Sequence, residues 1–235
     1  MPRGAGSPVT GLTPAEVERI ERAIARAEER TAGEILCVVD TQPHVYREWA
    51  LALAALGAFV VPFLLALAGL GPAALLGALG GTRWLAEATW SEQRLIEAYA
   101  ALQLIVFALL ALVLPRTPLA RRLAPAPLRR DRVHELALRQ FLARGIHLTD
   151  RRTGVLILVA VPDRIAEIVA DAGIYARVTP EVWAEADAVL LAALARGDLA
   201  GGLEAAIAKV GEVLAAHFPR EAGDRDELPN RLIQL

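Results

Sequence analysis

The stretch "GEILCVVDTQPHVYREWALAL", residues 33–53, starts as a strand and ends as a membrane helix. Glu34–Asp40 is an almost unbroken apolar run rich in β-formers, the pattern of a strand covered on both faces of an α/β sheet. From Trp49 to Gly81 there is then no Asp, Glu, Lys or Arg. A lone strand cannot bury itself, so its sheet partners must lie beyond the apolar region.

That region resolves into two spans. As one helix the uncharged run would be ~50 Å long, against a hydrocarbon core of ~30 Å. "GLGP" at 69–72 is a natural break, so one span is expected over about 49–70, with Pro62 kinking it without breaking it. The Ala/Leu/Gly remainder, 73–81, is too short to cross again. "TRWLAEATWSEQRLIEAY" (82–99) reads as the inter-span loop, with Trp84, Trp90 and Tyr99 as interfacial aromatics. A second uncharged run, Ala98–Pro115, forms the second span. Arg116, Arg121, Arg122, Arg129, Arg130 and Arg132 follow it, whereas the loop holds only Arg83 and Arg94. The positive-inside rule places the Arg-rich side in the cytoplasm, and two spans return the chain to that side.

The soluble remainder is regular. Thr13, Pro14 and Glu16 form a capping box opening a helix whose Val17, Ile20, Ile24 and Ala27 make a narrow apolar stripe. After the spans come a helix over 132–145, a strand "GVLILVAV" over 154–161, a tight turn, and an antiparallel return over 165–171. Thr179 and Pro180 open a helix closing near Gly197, and a last helix covers 199–217. The expected fold is a small mixed-sheet α/β/α sandwich split by an inserted two-helix transmembrane hairpin. Its parts are a disordered lead-in (1–12), a first domain segment (13–44), the hairpin with its Arg-rich flank (45–131), a second domain segment (132–219) and a C-terminal tail (220–235).

Composition narrows the function. The chain has 235 residues, 55% of them hydrophobic, and a net charge of −2, which gives no footprint for nucleic acid. The mean hydropathy is +0.40. Cys37 is the single cysteine, so neither a disulfide framework nor a cysteine metal motif exists; mid-strand, it is expected to be a buried, inert thiol. The first twenty residues lack the apolar core of a signal peptide, so an N-terminus that is not exported is expected. Nucleophilic catalysis is poorly provided for: Ser7 and Ser91 are the only serines, Lys209 is the only lysine, and His44, His134, His147 and His217 lack ligand spacing.

Three segments together carry a family resemblance: "LTPAEVERIERAIARAEERTAGEILCVV", "LTDRRTGVLILVAVPDRIAEIVADAGI" and "VTPEVWAEADAVLLAALARGDLAGGLEAAIAKVGEVLAAHFP". The sequence resembles the TPM-domain family over residues 12–44 and 132–219, and "DELPNRLI" resembles the tail of bacterial membrane-associated members. The resemblance implies a Rossmann-like α/β/α sandwich, usually attached to a membrane. It also implies functions that differ among members: photosystem repair and an acid-phosphatase activity in plants, calcium binding through acidic residues in some bacterial members, and an accessory subunit of a receptor channel in an animal.

The candidate site lies at one end of the sheet. With a turn at 162–164, Val161 pairs with Ile165, and Val155 faces Asp171. Asp150 lies just outside Val155, and a parallel strand 34–40 brings Glu34 to the same end. Glu34, Asp150 and Asp171 are therefore expected on one rim, where hard oxygen donors suit Ca2+ or Mg2+. The alternative is ordinary: Asp150 caps a turn, Asp171 ends a strand, and Glu34 is solvated. "DAGI" suggests a turn with Gly173 at positive φ. Arg151 and Arg152 are candidates for phosphate or an acidic partner, or form a plain solvated loop. The function expected is a scaffold or accessory factor for a membrane-protein complex, at a bacterial inner membrane with both termini cytoplasmic and the lipid bilayer as partner. The alternative is a divalent-metal-dependent phosphatase using the acidic rim.

Overall fold

The structure is a computed structural model that describes residues 11–44, 46–71, 91–221 and 227–235. The expected interfacial Trp84 and Trp90, the run 73–81, Arg83, Ser7 and nearly all of the lead-in lie outside the described residues. The chain divides into two compact units, one formed by 1–43 with 126–235 and the other by 44–125.

The first unit is built on a four-stranded mixed sheet in the order β3-β2-β1-β4. Its strands are β1 (Glu34–Asp40), β2 (Gly154–Ala160), β3 (Ile165–Ala170) and β4 (Leu232–Gln234). β1 runs parallel to β2 and β4, and β3 is antiparallel to β2. The helices of this unit are α1 (Pro14–Glu28), α5 (Ala126–Ala143), the single turn α6 (Ala172–Tyr175), α7 (Ala184–Ala195) and α8 (Leu199–His217).

β1 and β2 are buried at every position because both faces of the sheet are covered, and between the terminal Glu34 and Asp40 β1 is wholly apolar. Ile35, Cys37 and Val39, with Val155, Ile157 and Val159, pack against Ile20 and Ile24 of α1, Leu190 of α7, and Leu203, Ile207 and Val210 of α8. On the other face Leu36, Val38, Leu156 and Leu158 meet Val133, Ala137 and Phe141 of α5. Each such aliphatic side chain removed from water contributes roughly 1.5–3 kcal/mol, so these two layers drive the fold. The capping box of α1 is present: Thr13 Oγ1 accepts the Glu16 N–H at 3.3 Å, and Glu16 Oε2 accepts the Thr13 N–H at 2.8 Å.

The structure departs from the sequence expectation at several points. Residues 92–99, expected within the inter-span loop, are helical, and the helix expected over 132–145 already starts at Ala126. The C-terminal tail is more than a tail, because Leu232–Gln234 forms β4 on the outer edge of β1. Within the hairpin, Ala160 rather than Val161 pairs with Ile165, so Val155 faces Ala170 instead of Asp171. The one-residue shift has a local cause. Val161 donates its N–H to Asp40 O at 2.9 Å and joins the turn, which closes through Arg164 at φ 54°.

The second unit contains α2 (Arg47–Leu67), α3 (Glu92–Val113), a 3-10 turn at Leu114–Arg116 and α4 (Pro118–Leu123). α2 runs unbroken through Pro62. Ala50, Ala54 and Ala58 form its buried stripe, and at Gly57 an added Cβ would lie 2.4 Å from Leu110 Cδ1. At the other end Gly71 lies beside the Tyr99 hydroxyl of α3. The start of α2 thus meets the end of α3, making an antiparallel hairpin with small residues on its contact line.

Candidate functional site

Three segments meet at the sheet end where β1 and β2 begin. Glu34 is opposite Gly154 in the parallel ladder. Asp171, one residue past β3, donates its N–H to Gly154 O at 2.9 Å. Glu34 and Asp171 therefore flank Gly154, on the rim where sequence parity places them. Asp150 is held near this rim by Glu227, whose Oε2 accepts the Asp150 N–H at 2.9 Å.

Glu34 is buried, and its carboxylate is occupied by the chain's own tail. Oε1 accepts the Glu227 N–H at 3.1 Å, and Oε2 accepts the Leu228 N–H at 3.3 Å. Tail residue Glu227 thus touches both carboxylate-bearing segments, through its N–H to Glu34 and its side chain to Asp150. Glu21 of α1 makes a similar grip, its Oε1 accepting the Leu232 N–H at 3.2 Å. A buried carboxylate satisfied by backbone N–H groups is a stable arrangement that needs no cation.

Asp171 is 5% exposed and caps the first turn of α6, its Oδ1 accepting the Ala172 N–H at 2.6 Å. Arg152 Nη1 stands 4.0 Å from the same oxygen. Oδ2 is buried with no hydrogen-bond partner. Arg152 itself adopts φ 53°. Gly173 is required for a different reason from the expected positive φ. A Cβ there would lie 2.5 Å from Arg152 O and 2.7 Å from Arg151 O, so the loop backbone packs directly on the glycine. Arg151 reaches an acidic group within the chain, donating from Nη2 to Glu221 Oε2 at 2.7 Å. That hydrogen bond, and then the guanidinium charge, hold the Glu221 carboxyl below the usual range. Among the described residues, no three His, Cys, Asp or Glu side chains are grouped so as to hold a metal ion.

Cys37 is fully buried, and burial followed by the nearby Glu28 charge pushes its thiol pKa far up, which makes it a poor nucleophile. Ser91 is used as the N-cap of α3. Lys209 Nζ is 3.0 Å from Glu185 Oε1, and this contact raises its pKa.

Sequence reasoning did not single out a second charged group, at the β3 edge. Glu167 is the only charged residue in "IAEIVA", and its Oε1 is 2.8 Å from His134 Nδ1 of α5. Asp187 of α7 is half-buried, with Oδ1 unpartnered. Desolvation first, and the Glu167 charge second, push its pKa up to about 6. A carboxylate inside an otherwise apolar strand was the available signal.

Fold and rim together define a small mixed α/β domain with helices on both sheet faces and a carboxylate-gripped C-terminal strand. Residues 124–213 match the family model of the TPM domain. The NMR structure of BA42 protein from the psychrophilic bacterium Bizionia argentinensis sp. nov. is similar at a TM-score of 0.56 and 20% identity, covering 96% of this chain and 97% of that one. At that identity the likeness concerns the fold. No curated protein matches the chain.

Proposed function

We propose that the chain is a membrane-anchored TPM protein: α2 and α3 cross a bacterial inner membrane, and the domain built on the sheet acts at the cytoplasmic face as a scaffold or accessory factor for a membrane-protein complex. The observation that carries this is the exposure of large apolar side chains along both helices. Phe59 is 66% exposed, Phe63 63%, Leu67 70%, Leu104 69% and Ile105 57%. Apolar surface on that scale is covered by lipid or by protein. The helices are 21 and 22 residues long, enough to cross ~30 Å of hydrocarbon.

Two rival explanations of such helices fit less well. A core helix of a soluble domain would be mostly buried, whereas the apolar windows of these two are 22% and 6% buried. A cleaved signal sequence would not follow a strand that pairs, residue for residue, with one beyond it. The pairing of β1 with β2 also demands that residues 34–40 and 154–160 lie on the same side of the membrane, hence an even number of crossings. The arginine asymmetry makes that side the cytoplasm.

The test is carbonate extraction of membranes together with labelling of single cysteines in a Cys37→Ala background by a membrane-impermeant maleimide. Retention in the pellet is expected, with Ser91→Cys labelled in intact spheroplasts and Arg139→Cys labelled only after lysis. Release by carbonate, or labelling of both positions from one side, overturns the anchor. Co-purification of a specific membrane complex without turnover supports the scaffold role.

A second reading is a phosphatase dependent on Ca2+ or Mg2+ at Glu34, Asp150 and Asp171, with Arg151 and Arg152 beside the phosphate. Asp171 Oδ2, buried and unpartnered, favours it. Calorimetric titration of either ion, lost in Asp171→Asn along with hydrolysis of a phosphomonoester, would establish it. No heat at millimolar metal removes it.

A further inference from the structure

The base of the α2/α3 hairpin carries a cleft of about 370 Å3 lined by Arg47, Leu51, Ala111, Pro115 and Arg116. We propose that this cleft binds the phosphodiester headgroup of an anionic phospholipid, with the acyl chains running onto its apolar wall. The proposal rests on the two-span anchor proposed above.

The two arginines are brought together by the hairpin. Arg47 is the first residue of α2, and Arg116 ends the 3-10 turn that follows α3. Because the helices are antiparallel, both guanidinium groups stand at the same end of the hairpin, at headgroup depth if the helices span. Next to the lining residues in sequence, Ala50 and Ala54 of α2 pack with Leu114 and with Ala120 of α4. This packing also sets α4 across the base with Leu119 and Leu123 exposed on one face and Arg121 and Arg122 in its last turn.

Charge complementarity identifies the ligand. Arg47, Arg116, Arg121 and Arg122 lie around this end, and Glu48 is the only carboxylate within 44–71. Neither Arg47 nor Arg116 is ion-paired with a carboxylate among the described residues. Arg116, which lines the cleft, donates from Nη1 to the Leu112 carbonyl and so satisfies the negative end of α3. α2 begins without a side-chain cap from Tyr46, so its first N–H groups add their positive potential. Two planar guanidinium groups match the paired oxygens of a phosphate, and Leu51, Ala111 and Pro115 offer it no hydrogen bond. An anion with an apolar body fits both walls, whereas a free phosphate leaves the apolar wall wet.

The full chain in a neutral detergent is titrated with fluorescent phosphatidylglycerol and, separately, with phosphatidylcholine carrying the same label. Preference for phosphatidylglycerol is expected, falling roughly thirty-fold in Arg47→Gln/Arg116→Gln, from the usual contribution of each surface arginine to anionic-lipid binding. Arg22→Gln/Arg26→Gln, an equal charge change on exposed α1 positions, should keep it. Arg47→Lys/Arg116→Lys keeps the charge at the helix ends and remains informative if the Gln pair does not fold; a partial loss is expected as the bidentate contact goes. Equal affinity for the two lipids in the wild type, equal loss in the α1 control, or full retention in the Lys pair overturns the site. Displacement by millimolar inorganic phosphate overturns the lipid as its ligand, and failure to displace supports it. Carbonate release of the wild type would remove the anchor itself. Carbonate resistance without lipid preference would remove only this cleft.

Discussion

Glu34 Oε1 accepts the backbone N–H of Glu227 at 3.1 Å, across 193 positions of sequence, and makes the residue that opens β1 the latch of the C-terminal tail. Its other oxygen takes the next N–H, that of Leu228, at 3.3 Å. Glu34→Ala leaves both donors without their acceptor at a buried site, which costs about 2–3 kcal/mol. Hydrogen–deuterium exchange read by mass spectrometry should show protection of 227–235 falling by roughly two orders of magnitude while β2 stays protected. Unchanged protection of the tail would mean that the latch holds nothing.

β4 seals the edge of β1 and both core layers. Leu232 is 8% exposed in one layer, and Leu228, Ile233 and Leu235 pack against the other. Leu235 also donates its N–H to Val39 O at 2.9 Å. Ending the chain after Arg231 should lower the unfolding midpoint of the purified protein, the removed side chains being worth about 3–5 kcal/mol. The bare edge should also promote association between copies, visible as a shift to larger species in light scattering. A truncated protein with wild-type stability would reduce β4 to a bystander.

Asp187 makes stability depend on pH. Its carboxyl is raised from 3.8 to about 6 in the folded chain, so between those values the folded state binds more protons than the unfolded one. Stability then falls as pH rises through that window, and the full cost is present above about pH 6. The site is half-buried, so solvent screening reduces the effect to about 1 kcal/mol. Asp187→Asn is expected to stabilise the protein by that amount at pH 7.5 and to have little effect at pH 4. Equal effects at the two pH values would contradict the desolvation account.

The parts of this fold that were legible in sequence are those where one residue's surroundings repeat along an element. Glu34–Asp40 and Gly154–Ala160 announce burial at each position, and Thr13 with Glu16 announces a helix start. The rim followed as well, because parallel pairing and the hairpin bring Glu34 and Asp171 to one end whatever the exact register. What escaped depended on contacts distant in sequence or on backbone without a marker. β4 is three residues long, and its place is set by Glu34 and Glu21 gripping tail amides. The hairpin register slipped by one because Arg164, not glycine, takes the left-handed conformation that closes the turn.

Gly173 shows how a correct residue can be chosen for the wrong reason. A positive φ there would favour Gly and tolerate Asn, which enters the left-handed region more readily than other residues. The glycine instead sits in the single turn of α6, against the carbonyl oxygens of Arg152 and Arg151, at 2.5 and 2.7 Å from where a Cβ would stand. These are backbone atoms, so they cannot rotate away as the end of a side chain would. Gly173→Ala is therefore expected to cost about 1–3 kcal/mol, and Gly173→Asn more, because it adds volume at the same contact. The displaced loop carries Arg152, so the 4.0 Å approach of Arg152 Nη1 to Asp171 Oδ1 should open in both variants. Thermal unfolding of the two variants orders them. Asn matching the wild type while Ala does not would restore the conformational explanation, whereas Asn below Ala establishes the close approach.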